Sequence, residues 1–300
     1  MPAKITVCYP EQPAVESFLF EENGYRIGRS HECELFLDHP TVSRQHAKVA
    51  HLNQRWQLHD EHSRNGTRVN GIAITHSSLA EDALISLGQL DCLFETKSFE
   101  QVDAINNHNV WRRNQCQQQI STQMSQHFSQ NLNTQLQNII LLTGMQRGMV
   151  LLGNCLDDLQ ISMSIGMQSD DFKLARFQGS VGAISQCIRT ERSVFAMDVS
   201  HHQLWQARKS IELKQIAAFA CIPLFYKDKV IGIIYTDSKM SDKILTELDV
   251  EILNTMSQQL EATVQALLLQ HSIDLLQTQL HKEVIRTSNI ANKHLLTMCH

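Results

Sequence analysis

No apolar stretch in this 300-residue chain reaches the ~18 residues that a membrane-spanning helix needs. The richest run, Ile139 to Gly153, is interrupted by Gln146 and Arg147. The first residues, Met-Pro-Ala-Lys-Ile, pass straight into strand-like sequence and hold no apolar signal-peptide core. The expected setting is therefore cytoplasmic, with no membrane partner. C-x-x-C pairs are also missing. The eight cysteines, Cys8, Cys33, Cys92, Cys116, Cys155, Cys187, Cys221 and Cys299, are dispersed, most of them in apolar strand-like contexts. They read as small reduced hydrophobes rather than as a disulfide framework or a zinc site. His201 and His202 are adjacent, and neighbouring side chains point to opposite sides of most backbones, so they read as loop histidines. No metal site is expected. A P-loop, a recognisable Ser/His/Asp order, kinase or cyclase motifs and a helix-turn-helix are all lacking. The expectation is a protein that is not an enzyme, with no catalytic residues.

Positive charge is scarce where it would matter for nucleic acid. The net charge is −5, and residues 1–95 account for all of it, with eight Lys/Arg against thirteen Asp/Glu. Affinity for a phosphate backbone needs many cations, so nucleic acid is excluded as the ligand of this segment. An anion bound there must rest on a local cluster of arginines.

The length leaves room for two globular domains of ~100–200 residues each. From Ile5 to about Glu95, short strand-like segments alternate with Gly, Asn, Asp or Pro, as in an antiparallel sandwich or barrel. They are Ile5–Tyr9, Ser17–Phe20, Tyr25–Ile27, Leu35–Leu37, Ala47–His51, Arg55–His59, Ala83–Leu87 and Cys92–Glu95. Residues 97–134 are rich in Gln, Asn and Ser, and Ile120, Met124, Phe128, Leu132 and Leu136 recur at helical spacing. Beyond them, Met149–Leu152, Leu159–Ile165, Ala220–Phe225 and Val230–Asp237 read as strands, and Gly179–Arg189 and Gln206–Ile216 as helices. The spacing predicts a long helix from Thr246 to about Lys282, with an eleven-residue repeat at Leu253, Val264 and Leu275 that suits a nearly straight helix. Thr287–His300 has weak pattern and is expected to fray.

Three clusters in the first domain carry chemistry, all in or beside loops. They are Gly28-Arg29, Ser43-Arg44-Gln-His46 and Ser63-Arg64-Asn65-Gly66-Thr-Arg-Val-Asn70-Gly71. Gly28 allows a tight turn, and the guanidinium of Arg29 matches phosphate oxygens in a fork that a lysine lacks. Ser43 adds a hydroxyl donor, and Asn65 joins a donor and an acceptor on one amide, suited to a peptide backbone. Gly66 and Gly71, with Asn65 and Asn70, are turn formers. Arg26, Arg55 and Arg68 read as solvated strand-face residues.

In order and spacing these clusters resemble a forkhead-associated (FHA) domain. The resemblance implies an eleven-stranded β-sandwich that binds phosphothreonine peptides at one end. By that resemblance Arg29 and Ser43 take the phosphate, Arg44 and Asn65 hold the peptide backbone, and His46 braces the loops. The family often has Thr where this sequence has Arg64, which would add a second cation or meet an acidic residue of the peptide. Gly28, His46 and Gly66 are assigned to supporting the site.

The region 130–270 resembles a GAF domain. The resemblance rests on Gly179-Ser-Val-Gly-Ala-Ile-Ser-Gln-Cys-Ile-Arg189, Thr190-Glu-Arg-Ser-Val-Phe-Ala-Met-Asp198 and the hairpin from Ala220 to Asp237 that turns at Lys227-Asp228-Lys229. It implies an α+β fold with flanking long helices that pair across a two-fold axis. A homodimer is expected, with Leu253, Leu260, Val264, Leu267 and Leu275 near its interface; the competing reading is that the stripe packs on the domain's own sheet, over the first half of the helix. The cyclic-nucleotide and bilin signatures of the family are missing, and no cofactor is assigned. The expected division is 1–98 all-β FHA sandwich, 99–129 helical linker, 130–270 GAF domain and 271–300 helical extension. The expected role is a bacterial signalling adaptor docking on a phosphothreonine-containing substrate of a Ser/Thr kinase. The alternatives are a small-molecule sensor acting through the GAF pocket, or a regulatory subunit of a nucleotide cyclase or transcription activator.

Overall fold

A computed structural model of the chain describes residues 1–9, 12–122, 128–167, 179–197, 216–239 and 243–297. The first domain is two facing sheets. One has the order β2 (Val15–Leu19), β1 (Ala3–Cys8), β11 (Leu90–Thr96), β10 (Asp82–Leu87), β7 (Thr67–Val69) and β8 (Ile72–Ile74). The other runs β4 (Leu35–Phe36), β3 (Gly24–Gly28), β5 (Ala47–Leu52), β6 (Arg55–Asp60) and β9 (His76–Ser78). Strand alternation explains the layering: Ala83, Ile85 and Leu87 of β10 and Leu90, Cys92 and Phe94 of β11 all turn inward. They meet Ile27, Leu58 and Trp56 from the opposite sheet. Burial pushes the Cys92 thiol well up, as fits a cysteine that serves as a core hydrophobe. Strands β7, β8 and β9 do not stand out in the sequence because each has only three residues. The turn between β7 and β8 is Asn70-Gly71, both with positive φ, a pair that closes a tight hairpin.

Helix α1 (Phe99–Thr122) leaves the sandwich, and α2 (Phe128–Thr143) leads into a five-stranded sheet. Its order is β13 (Gln160–Ile165), β12 (Arg147–Leu152), β16 (Lys229–Ser238), β15 (Ala218–Tyr226) and β14 (Val194–Met197). Strands β15 and β16 are buried on both faces and joined through Lys227 and Asp228, both in the left-handed region. Helix α3 (Val181–Thr190) covers one face, capped by Ser180, whose hydroxyl accepts from the Ala183 amide. Helices α2 and α4 (Glu247–Thr297) cover the other. Of the apolar stripe read before α2, Leu132 and Leu136 are buried. Met124 and the side chains of Ile120 and Phe128 lie outside what is described, as do His201, His202 and residues 206–215.

Two expectations change on α4. The helix continues to Thr297, through residues expected to fray. Leu253, Leu260 and Val264 are buried against the domain's own sheet and are not available to a partner. That sheet has an apolar face as wide as two helices, and the first half of α4 is needed to cover it. Among the described residues no helix is long and apolar enough to cross a membrane.

The two domains touch. The Ala14 amide donates to Leu245 O (2.8 Å) and the Glu247 amide donates to Ala14 O (3.1 Å), so the β1–β2 connection of the sandwich pairs with the start of α4. Ala14 is fully buried in the second domain's core. On α1, Arg112 pairs with the buried Asp249 of α4, which Lys243 also meets at 2.9 Å.

Candidate functional site

The connections β3–β4, β4–β5 and β6–β7 meet at one end of the sandwich. The Arg29 amide donates to Ser43 O (2.9 Å) and the Ser30 amide to Arg44 O (3.0 Å), zipping the first two connections together. This closeness requires Gly28: a Cβ there would stand 2.3 Å from Arg44 O. The side chains of Arg29 and Arg44 are exposed, and Ser43 is half-buried between them. Ser43 Oγ accepts from the Arg64 amide (3.0 Å), which leaves its hydroxyl hydrogen to donate outward. Among the described residues Arg29 makes one long side-chain contact, Nε to Val42 O at 3.4 Å, which leaves most of its fork unengaged there. Asn65 Nδ2 donates to Thr41 O (2.7 Å). Its amide nitrogen is thereby fixed, and its side-chain carbonyl oxygen is of the type that accepts from a peptide N–H.

His46 is fully buried beneath these loops. Its Nδ1 accepts from the Ser43 amide (3.0 Å), so the ring proton sits on Nε2, facing Gly66 O at 3.3 Å. One ring thus joins the second connection to the third. Burial pushes the imidazole pKa down, with the Gly66 carbonyl pulling the other way. A protonated ring has no acceptor for the Ser43 amide. Because the folded pKa lies below the ordinary value, the stability from neutral His46 is complete above ~6.5 and is lost as pH falls toward the folded pKa. Urea unfolding should show this loss as pH falls below about 6.5, and His46→Gln should lack that component. An identical pH dependence in both proteins would remove His46 from this role.

Three supporting residues escape a reading of the sequence alone. Asp60 accepts from the Ser63 amide (3.0 Å), Ser63 Oγ (2.5 Å) and Thr67 Oγ1 (2.6 Å), tying down the loop that carries Arg64 and Asn65. Burial raises its carboxyl, but these donors more than offset that and hold it below its usual range. The Asp-x-x-Ser spacing of 60 and 63 was the available signal. Thr41, besides holding Asn65, accepts from the Gln89 amide through Oγ1 (3.1 Å). Gly88 packs on it in the left-handed region, where a Cβ would stand 2.6 Å from Thr41 O. Nothing in local sequence announces that a β10–β11 turn buttresses residues 47 positions away.

Of the other arginines, Arg26 is not simply solvated. It forks onto Glu34 at 2.9 and 3.2 Å and pulls that carboxyl down to about 2. Among the described residues, no group of three or more His, Cys, Asp or Glu is arranged to hold a metal ion.

Family models match the chain as an FHA domain at residues 25–88 and a GAF domain at residues 127–264. Among curated proteins, the oxoglutarate dehydrogenase inhibitor of Corynebacterium jeikeium is 32% identical over 83 residues, 28% of this chain and 58% of that protein. The glycogen accumulation regulator GarA of Mycobacterium tuberculosis is 33% identical over 79 residues, 26% of this chain and 49% of its own length. The chain spans about half the length of the curated relatives it matches. Among solved structures, an FHA domain from Chlamydia trachomatis is 24% identical with a TM-score of 0.31, covering 33% of this chain and 100% of that one. The FHA domain of FhaA is 26% identical with a TM-score of 0.29, covering 31% of this chain and 99% of that one. The chain thus carries an FHA domain at residues 25–88 followed by a GAF domain at residues 127–264.

Proposed function

We propose that this protein is a cytoplasmic, non-enzymatic signalling adaptor that docks through its FHA domain on proteins phosphorylated on threonine by a Ser/Thr kinase. The observation that carries the reading is the pairing of an unengaged Arg29 fork with a Ser43 hydroxyl free to donate, on loops already locked to one another. A phosphothreonine brings close to two negative charges and three acceptor oxygens, which this pair fits. Arg44 and Asn65 take the peptide backbone beside it, while Gly28, His46 and Gly66 keep the loops in place. The related proteins are named as an inhibitor and a regulator, which supports a regulatory rather than a catalytic role. Titration of the full chain with an oriented phosphothreonine peptide library and its unphosphorylated counterpart tests the reading. Equal affinity for the two sets would end it.

The GAF domain, on this reading, makes the adaptor a homodimer. Beyond the part of α4 that covers its own sheet, Leu269, Ile273, Leu276 and Leu280 are exposed on one stripe. Their spacings of four, three and four residues make a heptad seam in this stretch, in place of the eleven-residue repeat read for the whole helix. A second copy of the same stripe is its natural cover, because identical seams are self-complementary about a two-fold axis. The flanking positions Gln270, Ser272, Gln277 and Gln279 carry no charge, so like-charge repulsion does not oppose pairing of identical helices. Sedimentation should give a dimer for the full chain at micromolar concentration and a monomer for Ile273→Lys/Leu276→Lys. A wild-type monomer would refute this seam.

A further inference from the structure

We infer that Arg64 selects phosphothreonine peptides carrying a second anionic group, a carboxylate or another phosphate, beside the phosphothreonine. The inference rests on the phosphothreonine reading above and names the class of peptide for that same site. Its basis is a juxtaposition at Ser43. The Arg29 amide donates to the Ser43 carbonyl, and the Arg64 amide donates to the Ser43 hydroxyl oxygen at 3.0 Å. Both arginines are therefore pinned by their backbones to one residue, the one whose hydroxyl meets the phosphate on this reading. The loop that carries Arg64 is anchored at both flanks, by Ser63 to Asp60 and by Asn65 to Thr41. The Arg64 side chain itself is exposed and has no hydrogen-bond or ion-pair partner among the described residues.

The surrounding charge gives this guanidinium its meaning. The first 95 residues hold eight Lys/Arg against thirteen Asp/Glu, so the domain as a whole repels an acidic peptide. One phosphothreonine is served by the Arg29 fork and the Ser43 hydroxyl. A further cation held at the same serine is in place for a second negative group, and it adds to Arg29 and Arg44 in countering the domain's general aversion to acidity. A planar fork matches a carboxylate and a phosphate equally well, so both sources of anion fall within the inference.

The test uses the full chain and phosphothreonine peptides on a neutral background, with one aspartate or one phosphoserine moved position by position. In the wild type one position should tighten binding by about fivefold with aspartate, the scale of an exposed ion pair, and by more with phosphoserine. The gain should shrink as salt is raised. Arg64→Gln should bring the ratio of acidic to neutral peptide to about one, and Arg64→Lys should keep part of it. A gain from phosphoserine alone would still support the inference and identify the second anion as a phosphate. No gain at any position, or a gain that survives Arg64→Gln, overturns it while leaving phosphothreonine binding intact. Loss of the parent reading looks different: phosphorylated and unphosphorylated peptides would then bind alike.

Discussion

Arg29→Ala is expected to weaken phosphothreonine-peptide binding about 100-fold or more, on the scale of ~3 kcal/mol for one arm of a desolvated, charge-assisted contact. The loss should be nearly confined to binding. The side chain of Arg29 is exposed, and among the described residues its one hydrogen bond is the long one to Val42 O. The bonds that shape the loop run through its backbone, from the Arg29 amide to Ser43 O and from the Ser30 amide to Arg44 O. Alanine retains both, so circular dichroism and urea midpoint should stay near wild type. Arg29→Lys should recover part of the affinity, because the charge returns without the planar fork. Ser43→Ala is a less clean probe, since it also removes the acceptor for the Arg64 amide. Calorimetry with a single high-affinity phosphopeptide decides the matter. Unchanged affinity in Arg29→Ala, with fold intact, would place the phosphate elsewhere.

The second large effect lies in the GAF domain and concerns stability. Arg147 is nearly buried and forks onto the fully buried Asp237, Nε to Oδ1 at 2.6 Å and Nη2 to Oδ2 at 2.7 Å. Tyr235 donates its hydroxyl to Asp237 Oδ2 (2.9 Å) and accepts from the Ser180 amide (2.9 Å). These bonds tie β12, β16 and the cap of α3 into one buried polar cluster. Burial pushes the Asp237 carboxyl up, and Arg147 pulls it back toward the charged form. Arg147→Met should lower stability by about 3–5 kcal/mol, because it strands a carboxylate in the interior. That is a large share of the ~5–15 kcal/mol that holds a domain together. Hydrogen exchange at β12, β15 and β16 amides would read the loss in this sheet specifically. Adding Asp237→Leu to Arg147→Met should restore most of it, since the stranded charge is gone. A single-variant loss below about 1 kcal/mol would mean that water or another group relieves the charge.

Much of this molecule is legible in the residues in order. Alternation of inward and outward positions marks β10 and β11. The Lys227-Asp228 turn marks the hairpin β15–β16. The phosphate chemistry proposed for Arg29 and Ser43 rests on residue type and spacing, and the structure brings their backbones into direct contact. Other features were not legible because they depend on partners distant in sequence. Asp60 becomes a loop anchor only when the β6–β7 connection folds back over it. Gly88 supports the Asn65 loop by packing on Thr41 and by donating its amide to Gly66 O. The stripe on α4 allows two readings from sequence, a partner interface or packing on its own sheet over the first half of the helix; the structure has the second for Leu253, Leu260 and Val264, and the choice follows from the width of a sheet no local pattern reports.

The clearest division is at Ser43 and Arg64. The sequence by itself determined that an arginine, a serine and an asparagine with anion- and amide-binding chemistry sit in loops of a β framework. Side-chain chemistry is a property of the residue, and turn residues declare loops locally. Only the tertiary structure decided that the Arg64 amide closes on the Ser43 hydroxyl, that His46 bridges the same loops from below, and that Ala14 joins the start of α4. Each of these depends on a hydrogen bond between segments far apart in the chain, for His46 the one from Nε2 to Gly66 O. Its partners are chosen by how two sheets pack and twist, which no single stretch of sequence encodes.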